Sequence, residues 1–261
     1  MTTVLYPSDV TDAQWAVLQP LLRRGQKKLG RPPSDARTML NGILYVLRGG
    51  IPWRFLPKEY GPWATVYGPF RRWKSARLWA ALHDPLRAWG RVAVGKRARP
   101  TGCILDRQTV RSAGHGGAVG SDAAKKTKGR KRPRLVDTLG LVLGVWITPA
   151  STPERAGAQG LLSRVLLWFS WLRILGVDGG YTGPAFAHWV RTIRPQLKVE
   201  VVRRCDDRKG FAVRPRRGVG ERTFGWLMQQ RRLVRDYERT ETSAAAMIHI
   251  AMIRIMLRRL A

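Results

Sequence analysis

The sequence predicts an α/β protein: a mixed-sheet domain with helices on both faces, preceded by a small all-helical, helix-turn-helix-like domain. Three observations carry this. The first hundred or so residues read as short amphipathic helices stopped by Gly and Pro. The run GKRARP at Gly95–Pro100 interrupts that pattern, and the period then changes to short apolar runs of strand length. Those runs alternate with helical segments to the end of the chain, the order of an α/β sheet. The expected division is a helical domain over 1–94, a linker over 95–100 and a sheet domain over 101–261.

Thr11 with Gln14 reads as a capping box that opens a helix over Asp12–Leu22. Ser34 is expected to cap Asp35–Arg48, where Met39, Ile43, Val46 and Leu47 share one face and Gly49-Gly50 end the helix. The segment IPWRFLPKEYGPW is rich in Pro and Trp and too irregular for one element. A basic stretch, Ala64–Lys74, presents Arg71, Arg72 and Lys74, with Gly68-Pro69 expected to interrupt it. Leu78–Val94 reads as a further helix, started or kinked at Pro85.

Beyond the linker, Gly102–Leu105 is expected to be a short strand closing at Asp106. A Gly-rich stretch follows, and then KKTKGRKRPR, in which seven of the ten residues from Lys125 to Arg134 are basic. Leu135–Asp137 and Leu141–Ile147 form a hairpin around Thr138-Leu139-Gly140. Ser151 or Thr152 is expected to cap a helix over Glu154–Phe169. Leu172–Val177 is a strand ending at Asp178, Pro184–Ile193 a helix, and Lys198–Val202 a strand. Val219–Gln230 is helical, and Ser243–Leu260, apolar nearly all round, is a buried last helix.

Charge narrows the function. The 261 residues carry 48 Lys+Arg against 17 Asp+Glu, a formal net charge of +31, with a hydrophobic content of 44% that supports a real core. A folded chain this basic calls for a polyanionic partner, and DNA or RNA is the first candidate. An anionic membrane is the second, although no window is long and apolar enough for a span. The first residues, MTTVLYPSDV, show no signal-peptide pattern. Two cysteines, Cys103 and Cys205, make no zinc quartet, so a cytoplasmic chain is expected. The run Lys125, Lys126, Lys128, Arg130, Lys131 and Arg132 lies between strand candidates, where it could either track a phosphate backbone or form a solvated face.

Three acids fall at special places. Asp106 closes the first strand, Asp178 the strand after the sheet domain's first helix, and Glu221 opens a later helix, on a face with Phe224, Gly225 and Met228 that is expected to point inward. With the first and fourth strands side by side, both aspartates emerge at one sheet edge. Convergent carboxylates repel unless a divalent cation compensates them. Oxygen ligands without cysteine suit Mg²⁺ or Mn²⁺, and in so basic a chain two such ions would serve phosphoryl transfer. In the stretch LGVDGGYTG, Gly179 and Gly180 leave room for a metal or a DNA backbone. Each acid also has a purely structural reading: Asp106 or Asp178 in a turn, Glu221 at a helix N-terminus. Asp137 reads as a hairpin residue, and none of the four histidines as a ligand.

The segments ILDRQTVRS, KKTKGRKRPRLVDTLGLVLGV, LGVDGGYTG and GERTFGWLMQQRRLVRDYERTETSAAAMIHIAMIRIMLRRLA resemble bacterial insertion-sequence transposases of the DDE class, closest to insertion-sequence family five. VTDAQWAVLQPLL and GRPPSDARTMLNGILYVLRGGIPWRFLP resemble that family's N-terminal helical domain. The resemblance implies a ribonuclease H-like fold and a DDE triad at Asp106, Asp178 and Glu221. It implies Mg²⁺-dependent strand cleavage and transfer at inverted-repeat ends, a homodimer or higher assembly on double-stranded DNA, and residence in the bacterial cytoplasm with the nucleoid. Of the family's Tyr–Arg–Glu–Lys pattern, Arg217 and Glu221 are present, Arg214 and Met228 replace the other two, and Arg231 and Arg232 are candidates for the missing charge. Arg107 stands where relatives usually have Ser. The competing readings are a metal-dependent nuclease without strand transfer, a non-catalytic DNA-binding copy, and an RNA-binding protein; 11 Trp and a large mixed core fit the last poorly.

Overall fold

The computed structural model describes residues 5–23, 35–113, 117–201 and 218–261. In chain order the helices are α1 (Asp12–Arg23), α2 (Ala36–Gly49), α3 (Trp63–Ser75), α4 (Leu78–Val92), α5 (Glu154–Val165), α6 (Pro184–Ile193), α7 (Gly218–Met228), α8 (Arg231–Val234) and α9 (Glu241–Leu260). The strands are β1 (Gly102–Arg111), β2 (Gly120–Asp122), β3 (Thr127–Asp137), β4 (Val142–Val145), β5 (Thr148–Pro149), β6 (Ile174–Val177) and β7 (Lys198–Val201). Two compact units result. One comprises Met1–Lys96, Leu227–Arg235 and Ala246–Ala261; the other comprises Arg97–Trp226 and Asp236–Ala245. Where a cut at 95–100 gives each unit one stretch of chain, these units take theirs from several.

The first unit is all helical. The Thr11 hydroxyl accepts from the Gln14 N–H, and the Gln14 side chain accepts from the Thr11 N–H, the reciprocal capping box of α1. Asp35 caps α2, accepting from the Arg37 and Thr38 N–H groups; Ser34 lies outside the described residues. Gly50 ends α2 at φ +72°, and a Cβ there would sit 2.9 Å from the Arg231 Cβ, so both conformation and space demand glycine. The core gathers Leu18, Leu40, Leu47, Phe70, Leu86 and Met252. Most of α9 is buried, as its apolar surface requires. α3 runs unbroken through Gly68-Pro69, contrary to the expected interruption. Proline's fixed φ suits a helix, the loss is one backbone hydrogen bond, and the buried Pro69 and Phe70 outweigh it.

The second unit is a mixed sheet in the order β2-β3-β1-β6-β7, with β4 and β5 also paired to β3. β1 is antiparallel to β3 and parallel to β6, and β6 is parallel to β7. On one face Cys103, Leu105 and Leu175 pack with Leu161 and Leu162 of α5 and Phe186 of α6. On the other, α7 lies over the β3–β4 hairpin, where the Thr223 hydroxyl donates to the Gly140 carbonyl at 2.7 Å. Two expectations change here. β1 does not close at Asp106 but continues to Arg111, because β3 offers it an unbroken ladder from Cys103↔Asp137 to Arg111↔Gly129. α5 follows Pro153 without a side-chain cap and ends at Val165, short of Phe169.

Candidate active site

The register of the two central parallel strands sets the site. Ile104 of β1 pairs with Gly176 of β6. Two residues further on come Asp106, still within β1, and Asp178, just past the end of β6, so the two aspartates stand at one level along the chain direction of the paired strands. Asp178 is exposed, and its Oδ1 accepts from the Gly180 N–H at 2.9 Å. At Gly179 an added Cβ would meet nothing within 4 Å, so the side next to Asp178 is open.

Asp106 is more tightly held. Its Oδ2 accepts from the Arg134 guanidinium at 2.6 Å and its Oδ1 from the Arg107 N–H at 2.7 Å. Arg134, its antiparallel partner in the ladder, is buried beneath the Phe224 ring. The first turn of α7 presses on the same carboxylate: a Cβ at Gly220 would lie 2.8 Å from Asp106 Oδ2. Glu221 is the next residue. It is exposed rather than turned inward, while its helix buries Val219 and Thr223 instead.

The other face of β1 carries Arg107. Its guanidinium forms an ion pair with Glu154 in the first turn of α5, so this cation beside Asp106 has a carboxylate of its own. Tyr181 lies buried nearby against Phe186. Burial raises its phenol above the usual range, and the nearby Arg107 guanidinium offsets part of the rise. Asp137 is wholly buried and accepts from the Leu139 and Leu141 N–H groups, the hairpin role expected of it. Among the described residues no three acids, histidines or cysteines stand close enough together to hold a metal ion.

A family model described as "Transposase DDE domain" matches residues 97–256, more than half of the chain. A second, described as "Putative transposase of IS4/5 family", matches residues 10–83. A Burkholderia cepacia protein named "Insertion element IS402 uncharacterized 16.2 kDa protein" is 34% identical over 117 residues, covering 42% of this chain and 78% of that protein. The chain belongs to the insertion-sequence DDE transposases. It is thus an enzyme acting on DNA, in a family that uses divalent metal ions.

The transposase distributes its basic residues unevenly. Lys125, Lys126 and Lys128 are exposed. Arg130, Lys131 and Arg132, from the same run, are buried in β3. Arg130 pairs with Asp236 at 3.3 Å and donates to the carbonyls of Ala118, Glu238 and Arg239. Lys131 donates to the Thr152 carbonyl at 2.7 Å. Burial lowers the Arg132 guanidinium to about 10, with Asp236 opposing the shift. These three side chains have internal partners where phosphate contact was expected. In the helical unit Arg71 and Arg72 are exposed on α3 and Lys74 is half-buried. Arg231 is exposed, while Arg232 is buried and donates to the Ile51 carbonyl at 3.0 Å. Arg217 lies outside the described residues. Sequence reasoning missed Arg134 and Glu154. The cross-strand pair of Arg134 with Asp106 depends on register, which no local pattern reveals; Glu154, an acid in a first helical turn, gave a faint signal.

Proposed function

We propose that this transposase cuts and joins DNA strands at insertion-sequence ends by metal-dependent phosphoryl transfer, in a ribonuclease H-like sheet domain. The observation that carries the reading is the level placement of Asp106 and Asp178 along the chain direction of adjacent parallel strands, with the start of α7 against Asp106. The residues suit a hard divalent cation: the donors are carboxylate oxygens, and Gly179 leaves the approach open. Asp106, Asp178 and Glu221 are the proposed ligands for two Mg²⁺ or Mn²⁺ ions, although this structure does not draw the three into one cluster. Bound there, such ions would activate the attacking oxygen and stabilise the leaving one. Arg134 fixes the direction of the Asp106 carboxylate, and the Gly220 backbone lets the α7 turn approach it. Exposed Lys125, Lys126 and Lys128 hold the DNA backbone by charge.

The helical residues of 1–94 are proposed to bind the inverted-repeat ends, with Arg71, Arg72 and Lys74 as phosphate contacts and a helix-turn-helix-like arrangement. Action as a homodimer or larger assembly, with target DNA as second substrate, in the nucleoid-bearing bacterial cytoplasm, completes the proposal. The test is cleavage of duplex DNA from the flanks of the gene, with Mg²⁺ or with EDTA, beside Asp178→Asn. Metal-dependent nicks at the element ends that vanish in the variant are expected, with joined products marking strand transfer. End-specific binding with no cleavage in Mg²⁺ or in Mn²⁺ would sink the catalytic reading and leave a DNA-binding copy.

A further inference from the structure

The Pro- and Trp-rich segment at 51–63 takes no part in the chemistry above, yet it is built with care. It encloses an open cavity of about 320 Å³, lined by Arg54, Leu56, Lys58, Gly61, Pro62 and Trp63. That is within the range of small-ligand pockets, roughly 300–1,000 Å³. Three prolines at five-residue spacing set its walls. Pro52 precedes the 3-10 turn Trp53–Phe55, Pro57 the turn Lys58–Tyr60, and Pro62 begins α3. Their φ angles lie between −54° and −58°, so the loop has little freedom left to lose on binding.

Trp63, the one aromatic among the described lining residues, is braced by others behind it. Trp63, Tyr67 and Phe70 recur on one face of α3, and Trp53 packs on Tyr67 and Phe70 with centroids 5.0 and 5.1 Å away. Trp63, 6.0 Å from Tyr67, is the outer rung of this fixed stack, and the Arg54 guanidinium lies 5.5 Å over its ring. The charge is one-sided. Arg54 and Lys58 are exposed, and no acid lines the cavity. Glu59, next in sequence, lies near the Tyr6 phenol and helps to raise it instead. Between the lining residues Arg54 and Leu56 in the chain, Phe55 is 72% exposed, a large apolar side chain in solvent. Cation pairs suit phosphate, a rigid indole face suits a base, and exposed apolar wedges fill gaps between base steps.

We propose that this cavity receives one unstacked nucleotide of DNA, with its base on Trp63, its phosphates on Arg54 and Lys58, and Phe55 in the gap it leaves. The inference rests on the reading of the helical unit as DNA-binding. Stacking of a base on Trp63 moves the Arg54 guanidinium from the ring face to the adjacent phosphate.

The experiment uses the full chain and a short duplex, either fully paired or carrying one bulged 2-aminopurine, with anisotropy and 2-aminopurine fluorescence as readouts. The bulged duplex is expected to bind roughly tenfold tighter, with its fluorescence quenched. Trp63→Leu should erase both the preference and the quench and keep paired-duplex binding. Arg54→Gln with Lys58→Gln, both at exposed positions and checked by thermal melting, should weaken the bulged duplex more than the paired one. Equal wild-type affinity for the two duplexes, or a preference that survives both variants, overturns the inference. So does inorganic phosphate competing as well as the bulged DNA does, which would mark a plain anion site. Absence of binding to the paired duplex would instead bring down the DNA-binding reading itself, and the inference with it.

Discussion

The two halves of one basic run behave in opposite ways. Lys125, Lys126 and Lys128 stand in solvent, whereas Arg130, Lys131, Arg132 and Arg134 are buried within β3. Composition does not separate them; the partners do. The buried half faces Asp236, Asp122, Asp106 and backbone carbonyls, so its charges are compensated inside the unit. The side chains of the other half stand in solvent, and that half is the one suited to phosphate. A run of cations is therefore two devices: one fastens the sheet to its neighbours, and the other faces outward.

The sharpest way to break that contrast is Arg130→Met. Arg130 ties the segment at Asp236–Arg239 to the sheet, and Asp236 is 2% exposed. Removing one partner of a buried pair leaves an uncompensated charge, at a cost of about 3–5 kcal/mol. Thermal melting should fall by roughly 10 °C for a unit of this size. Asp236→Asn in the same chain should restore part of the loss. A single variant that melts like the wild type would mean that burial of the run is not structural.

The outward half is tested next by Lys125→Gln with Lys126→Gln and Lys128→Gln. Melting should stay within about 0.5 kcal/mol of the parent. DNA affinity should drop by about tenfold or more near 0.1 M salt, and the slope of log affinity against log salt should flatten by about 3, near 0.9 per lost contact. An unchanged slope would remove these lysines from the interface.

The difference between the halves explains what the sequence revealed. α6 was legible to the residue, because Pro184 opens it and apolar Phe186 and Val190 repeat at helical spacing. β6 was legible as an apolar run that halts at an aspartate. The strand character of β3 was legible only over Leu135–Asp137 and not in its basic part, since Lys and Arg are read as solvent-facing and their burial here depends on acids distant in sequence, such as Asp236. The same holds at the candidate site. The positions of Asp106 and Asp178 at strand level could be read from local pattern, but the grip of Arg134 on Asp106 and of Glu154 on Arg107 comes only with register and helix docking. The exposure of Glu221 was missed for a related reason: helical periodicity names the faces, and packing chooses the buried one, here the face of Val219 and Thr223.

The smallest expected effect concerns the acid at the junction of the two halves. Asp122 accepts from the Thr109 hydroxyl at 2.8 Å and from the Lys125 N–H at 3.2 Å, and lies 3.8 Å from the Lys131 ammonium. Burial alone would raise its carboxyl, but these hydrogen bonds and the nearby lysines outweigh it and hold it below the usual carboxylate value. A carboxyl depressed on folding contributes stability that is fully present above its unfolded pKa, about 3.9, and is lost as pH falls through the folded value. Melting measured from neutral pH down to about pH 3 should therefore decline less steeply on its acid side in Asp122→Asn than in the parent, although the variant starts lower. If the two acid limbs run parallel, Asp122 is not the proton-linked tie between the exposed lysines and the buried ones, and the junction is held by the β2–β3 ladder alone.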